Sequence, residues 1–210
     1  MGHKPFMLRR QYRCHPALAD IPNRLFYDGR LLNGCSAEER PPLVEGWPPI
    51  SFCDVRGTAR RAQGGGSSAN GQEAECVLQI LRRLGEAGVE AAACGVICFF
   101  RAQVALIQDL LAKSSGGHQP EAGQHSGFDI QVATVDSFQG MEKDVIILTT
   151  SVTSPGPFCS DNRRLNVALT RARHHLVLVG HVPALRQTSR VFSEVLEAGK
   201  PLRLREHHSH

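Results

Sequence analysis

Three short segments of the chain combine residue types that can do chemistry. The first, Leu8-Arg9-Arg10-Gln11-Tyr12-Arg13-Cys14-His15-Pro16, sets an amide, a flat aromatic ring and a guanidinium side by side, just ahead of a helix opened by Pro16. An aromatic face can stack on a nucleobase, and a neighbouring arginine can reach phosphate oxygens. Tyrosine and arginine beside a helix start are also common without any such role. The second segment, Ala133-Thr134-Val135-Asp136-Ser137-Phe138-Gln139-Gly140-Met141-Glu142-Lys143-Asp144, reads as a strand that enters a tight polar turn closed at Gly140 and leaves as a second, apolar strand. It gathers a hydroxyl, an amide and a carboxylate at a sheet edge, where parallel sheets bind their ligands. The alternative is a structural hairpin. The third segment, Arg163-Arg164-Leu165-Asn166-Val167-Ala168-Leu169-Thr170-Arg171-Ala172-Arg173, reads as one amphipathic helix, with Leu165, Ala168, Leu169 and Ala172 on the buried face. Arg164 and Arg171, seven residues apart, then share a face. For Arg171 and Arg173 a bland reading stays open, that they offset the dipole of the helix C-terminus.

These segments need a scaffold, and the apolar periodicity supplies one. Short β-like runs at Ile50–Val55, Ala93–Phe100, Asp129–Val135, Asp144–Thr150 and His175–Gly180 alternate with helical patterns at Pro16–Tyr27, Gly71–Ala87, Arg101–Lys113, Asn162–Arg173 and Ser189–Ala198. Several of the β-like runs are continuously apolar, which suits strands covered on both faces. Alternation of this kind predicts an α/β fold built on a parallel sheet. Residues 57–71 and 114–127, rich in Gly and Ser, read as mobile surface loops. The chain is assigned one domain over residues 1–185, followed by a C-terminal helix and tail over 186–210. The histidines of Glu206–His210 could hold a metal weakly, but a disordered end is the favoured account of them.

Composition narrows the class. With 210 residues, 41% hydrophobic and 21% charged, the chain has enough apolar surface for a full core, and collagen-like or wholly disordered classes are excluded. Runs such as Val145–Leu148 are too short to span a bilayer, and the N-terminus carries no signal-peptide pattern, so a soluble intracellular domain is expected. Of the 24 basic residues only Lys4, Lys113, Lys143 and Lys200 are lysine. Arginine's planar fork suits phosphate, although a compositional bias towards arginine would look the same. The 7 cysteines are odd in number and contain no C-x-x-C pair, so neither a disulfide framework nor a zinc knuckle is expected. Cys94 and Cys98 suit core positions, and the compartment is read as reducing.

Taken together and in this order, Gln-Tyr-Arg-x-His-Pro, Thr-Val-Asp-Ser-Phe-Gln-Gly-x-Glu-Lys-Asp and Arg-Leu-Asn-Val-Ala-Leu-Thr-Arg-Ala-Arg resemble a superfamily-one helicase. The likeness is to the second RecA-like domain of the branch that includes the nonsense-mediated-decay helicase, and it runs from about Leu8 to Gly180. The stretch from Met1 through Pro16, with Leu25-Phe26-Tyr27, Gly29 and Asn33-Gly34, is most similar to a DNA-acting member. The resemblance implies a RecA-like parallel sheet with helices on both faces. It implies that Gln11, Tyr12, Gly140 and Glu142 bind ATP, with Tyr12 stacked on the adenine and Glu142 on the ribose. Arg13 would reach the γ-phosphate and Arg171 would act as an arginine finger. Thr134, Asp136, Gln139, Phe100 and Arg101 would lie along single-stranded nucleic acid, although Phe100 suits a core position as well. No G-x-x-x-x-G-K-[ST] loop and no Asp-Glu pair occurs, so the phosphate cradle and the Mg²⁺ ligands are expected on an upstream RecA-like domain acting in cis.

The expectation is therefore the C-terminal motor half of an ATP-dependent DNA helicase, inactive without its first domain. From the resemblance alone come 5′-to-3′ polarity, a nuclear location and a role in DNA repair. Competing readings are a truncated single-strand-binding module without ATPase activity, an RNA helicase half, and an unrelated α/β enzyme. The last would need its own nucleophile or cofactor loop, and neither G-x-S-x-G nor G-x-G-x-x-G is present.

Overall fold

The computed structural model of the chain describes residues 7–61, 66–114, 130–153 and 159–204. Six strands form one fully parallel sheet in the order β10-β3-β9-β8-β6-β7. They are β3 (Ile50–Asp54), β6 (Cys94–Cys98), β7 (Gln131–Thr134), β8 (Lys143–Thr149), β9 (Ala172–Gly180) and β10 (Lys200–Pro201). The side chains of β8 alternate between two cores. Ile146 and Leu148 face one side with Leu18, Leu165, Leu169, Leu185 and Phe192. Val145 and Ile147 face the other with Val77, Ile80, Leu84 and Ile107. The first core is covered by α1 (Pro16–Phe26), α4 (Asn162–Leu169), α5 (Val182–Thr188) and α6 (Arg190–Ala198), the second by α2 (Gly71–Glu86) and α3 (Arg101–Ser114). The expected α/β sandwich, with both sheet faces buried, is the observed fold.

Four differences from the sequence reading have local causes. The third motif is not one helix. Thr170 turns the chain, its Oγ1 bonding Asn166 O at 2.8 Å, and Ala172 instead opens β9 opposite Lys143. Arg164 and Arg171 therefore lie at opposite ends of α4 rather than on one face. Strands β7 and β8 are no hairpin, since β6 runs between them. Residues 57–71 hold an antiparallel pair, β4 (Arg60–Arg61) with β5 (Ser68–Ala69), and Asn70 caps α2. Residues 186–204 are no appendage: Val191, Phe192, Val195 and Leu196 of α6 enter the first core, and β10 adds a strand beside β3. Most of the segment 114–127 and the tail 206–210 lie outside the described residues.

All seven cysteines are free and buried, with Cys94 and Cys98 at the two ends of β6. Among the described residues, no helix is long and apolar enough to cross a membrane.

Candidate functional site

The segment before α1 is held rigidly from within. Gln11 Oε1 accepts the backbone N–H groups of Arg13 and Cys14, each at 2.9 Å, while its Nε2 donates to Cys14 O at 3.0 Å and Asn33 Oδ1 at 2.8 Å. His15 caps α1, its Nδ1 accepting from Ala17 N at 3.0 Å, and its own N–H donates to Arg173 O at 2.8 Å. A short parallel pair, β1 (Arg10–Gln11) with β2 (Leu32–Asn33), completes the platform. From it the Tyr12 ring projects, 63% exposed.

A cavity of about 370 Å³ opens beside this platform, lined among others by Gln11, Tyr12, Arg13, Tyr27, Thr170 and Arg171. Arg13 Nη1 donates to Thr170 O at 2.9 Å, and its Nε pairs with Glu142 Oε2. Glu142 Oε1 is taken by Arg173. The hydrogen bonds from Arg173, then Arg13, hold the Glu142 carboxyl below its ordinary range. Arg171 is held at the same place from the turn between α4 and β9, its Nε donating to Val167 O at 2.9 Å and its Nη1 to Met141 O at 3.1 Å. Burial, followed by the neighbouring Arg13 charge, lowers its pKa. Val167 O belongs to the last turn of α4, so Arg171 does satisfy that helix end while standing at the cavity. Gly140 lies outside the lining. Its φ of +86° is what the tight turn requires.

A second cavity, about 310 Å³, sits at the C-terminal ends of β6 and β7 and is lined by Ser67, Phe99, Phe100, Arg101, Thr134, Asp136, Ser137 and Arg164, with Gly66. Phe138, fully buried beneath Gly95, anchors the polar turn and leaves Asp136 and Ser137 facing outward. Phe100 is part-buried against the first core and lines this cavity too. Thr134 Oγ1 meets Ser137 Oγ at 3.0 Å. Arg164 grips Asp136 with two bonds, Nε to Oδ1 at 3.1 Å and Nη2 to Oδ2 at 2.8 Å. Ser67 Oγ accepts from Ala102 N at 2.9 Å and so fixes the start of α3.

The structure thus brings Gln11, Tyr12, Arg13, Glu142 and Arg171 together, and separately Phe100, Arg101, Thr134 and Asp136. Gln139 is exposed and lines neither cavity. Sequence reasoning missed Arg164 as Asp136's partner, because the two lie 28 residues apart and only the packing of α4 beside the polar turn brings them together. Gly34 stands in the resemblance with no role attached to it, and no pattern points to Arg40.

A family model described as "AAA domain" matches residues 1–183. The chain belongs to this family. Its fold and three motifs are those of a second RecA-like domain of the superfamily-one helicases. This helicase domain is 42% identical over 197 residues to the 5'-3' DNA helicase ZGRF1 of Mus musculus, a match covering 94% of the chain and 10% of that relative. It is 37% identical over 190 residues to the Regulator of nonsense transcripts 1 homolog of Neurospora crassa, covering 86% of the chain and 17% of the relative. It therefore spans a tenth to a sixth of the length of these relatives. Among solved structures, the C-terminal domain of a possible DNA helicase from Lactobacillus plantarum shares its fold, with a TM-score of 0.52 at 13% identity over 91% of this chain and 98% of that one.

Proposed function

We propose that the chain is the second motor half of an ATP-dependent helicase and supplies one wall of a nucleotide site shared with an upstream RecA-like domain. One observation carries this: Tyr12, Arg13 and Arg171, spread over most of the sequence, line one cavity, and Glu142, outside that lining, pairs with Arg13. In this reading Tyr12 offers its open ring face to the adenine. Arg13, steadied by Glu142 through Nε and by Thr170 O through Nη1, directs its remaining guanidinium nitrogen at the phosphates. Arg171 exchanges its bonds to the carbonyls of Val167 and Met141 for the γ-phosphate as negative charge develops there. Glu142 acts on the ribose or, as its present bonds favour, by holding Arg13. Gln11 and Gly140 shape the two loops rather than touch the nucleotide. Mg²⁺ would neutralise the β- and γ-phosphate oxygens, held by carboxylates of the upstream domain.

The second cavity is proposed to take single-stranded DNA, with Phe100 stacking on a base, Arg101 and Arg164 near phosphates, and Thr134 hydrogen-bonding the backbone. DNA as the track and 5′-to-3′ movement rest on likeness to a relative named a 5'-3' DNA helicase. RNA is the second reading, favoured by the relative named for nonsense transcripts. Titration with matched DNA and RNA oligonucleotides separates the two, because only a site that reads the 2′-hydroxyl prefers RNA.

The deciding experiment is ATP hydrolysis. The 210-residue chain should show none, with or without single-stranded DNA. In a protein that includes the upstream domain, Arg171→Ala should cost about 10³-fold or more in turnover, and Arg13→Ala should also abolish it, with folding intact in both. Unchanged turnover in either variant removes the role assigned to that residue.

A further inference from the structure

Several of residues 33–40 touch the segment that the proposed nucleotide site depends on: Asn33 bonds Gln11, Cys35 bonds Cys14 O, Gly34 lies against the Tyr12 ring and Arg40 bonds the Tyr12 and Arg13 carbonyls. We propose that Gly34 and Arg40 are positioning residues for nucleotide binding: Gly34 leaves the space in which the Tyr12 ring lies, and Arg40 clamps the backbone that carries it. This rests on the reading of Tyr12 as the base-stacking residue.

A Cβ placed on Gly34 would stand 2.4 Å from Tyr12 Cε1, 2.5 Å from Cδ1 and 2.8 Å from Cζ. No side chain fits there while the ring keeps its place. Gly34 is not one of the glycines with positive φ, so its backbone conformation is open to alanine and the constraint is the ring alone. The Gly34 N–H donates to Gln11 O at 2.7 Å, which continues the β1–β2 pairing and fixes Gly34 relative to the ring.

Arg40 holds the other side. Its Nε donates to Arg13 O at 2.9 Å and its Nη2 to Tyr12 O at 2.9 Å. The Gln11 side chain meanwhile takes the N–H groups of Arg13 and Cys14. The peptide groups that bear Tyr12 and Arg13 are therefore gripped through their carbonyls by Arg40 and through their N–H groups by Gln11. A side chain 63% exposed would ordinarily sample several rotamers and lose that freedom on binding a base. Here the contact with Gly34 restricts the ring beforehand, which favours affinity through pre-organisation.

The test uses the 210-residue chain, which has only two tyrosines, Tyr12 and Tyr27. Their ring resonances are followed by NMR as ATP is added. In the wild type the Tyr12 ring signals should shift with ATP; those of Tyr27, which also lines the cavity and whose hydroxyl accepts from Asn166 Nδ2 at 2.9 Å, report entry of the nucleotide independently of stacking. Gly34→Ala should weaken ATP binding roughly three- to tenfold, with an unchanged melting temperature, because the displaced ring is exposed and free to swing away. Arg40→Met should weaken ATP likewise. Inorganic tripolyphosphate, which has no base, should bind wild type and Gly34→Ala equally, an outcome that general unfolding of the site would not produce.

Tyr12→Ala distinguishes the layers of the argument. If Tyr12→Ala weakens ATP and Gly34→Ala does not, the positioning role of Gly34 is wrong and the stacking role of Tyr12 stands. If Tyr12→Ala binds ATP as the wild type does, or Tyr12 never shifts during the titration, both fall.

Discussion

Arg13 and Glu142, 129 residues apart in sequence, meet as an ion pair that joins the segment before α1 to the turn before β8. Glu142's second oxygen is occupied by Arg173, so one carboxylate holds two guanidiniums. The side chains of Arg13 and Glu142 are about a third exposed, and a pair so open to water contributes at most about 1 kcal/mol to folding. Its consequence is orientation. Glu142→Gln should cost about 1 kcal/mol or less in denaturant unfolding, yet reduce ATP turnover in a protein with both motor domains far more than that loss explains. The pH dependence has a definite sign. The folded-state pKa of Glu142 lies below the ordinary 4.5, so its stabilisation is present above that value and fades as pH falls through the lower folded pKa. Wild type and Glu142→Gln should therefore converge in stability under strong acid. A gap that persists there would show that the substitution acts through packing.

The pair Asp136–Arg164 sits in the second cavity with the carboxylate 64% exposed. A carboxylate facing a phosphate chain opposes binding, and here it also engages an arginine that could meet a phosphate. Asp136→Ala should raise the affinity for single-stranded DNA and steepen the logarithmic salt slope by about 0.7, the contribution of one more phosphate contact. Arg164→Ala should do the reverse. Fluorescence anisotropy over a salt series measures both. Weaker binding by Asp136→Ala would mean that Asp136 serves the strand by fixing Arg164, and would sink the competition argument. Because α4 begins near Arg164 and ends at the turn that presents Arg171, about 9 Å along the axis, both variants should also be read for DNA-stimulated turnover.

The parallel sheet was legible because its strands are buried on both faces and show as apolar runs, Val145–Leu148 most plainly. The nucleotide wall was legible only as motifs. Nothing local announces that Arg13 finds Glu142, since that contact depends on how β8 and α1 pack. The third motif misled because Ala172 fits a helical repeat and a buried strand equally well. Pairing with Lys143 decided for the strand, and with it the direction of Arg171. Arg40 reads as one more surface arginine until its carbonyl partners are seen. The short strand β10 has two residues and no pattern of its own, and β3 alone recruits it.

The same limit hid Glu73, which the helical pattern of α2 contains without distinction and which proves fully buried. Its Oε2 accepts Thr149 Oγ1 at 2.6 Å, Ser151 N at 2.9 Å and Thr150 N at 3.1 Å, and Asn70 Nδ2 approaches Oε1 at 3.3 Å. Gln103, two residues beyond Arg101, bonds Asn70 and Thr149, so this carboxyl ties the exit of β8 to the start of α3. Burial outweighs these bonds and pushes its pKa up to about 7. The folded protein then keeps a proton that the unfolded chain has lost above 4.5. Stability from this group is complete below that pH, declines as pH rises towards 7, and is level beyond, a change of about 3 kcal/mol. His175 works against it. Burial holds its pKa below 6.5, with Nε2 accepting from Leu43 N at 2.9 Å, so it favours folding as pH rises through the acid side of that range. The total stability curve is thus flattened, and the difference between wild type and Glu73→Gln isolates the carboxyl. Denaturant unfolding at half-unit steps from pH 4.5 to 8 should show that difference shrinking up to about pH 7 and constant above it. Parallel curves across the range would mean that Glu73 is ionised in the folded state and held so by its four donors.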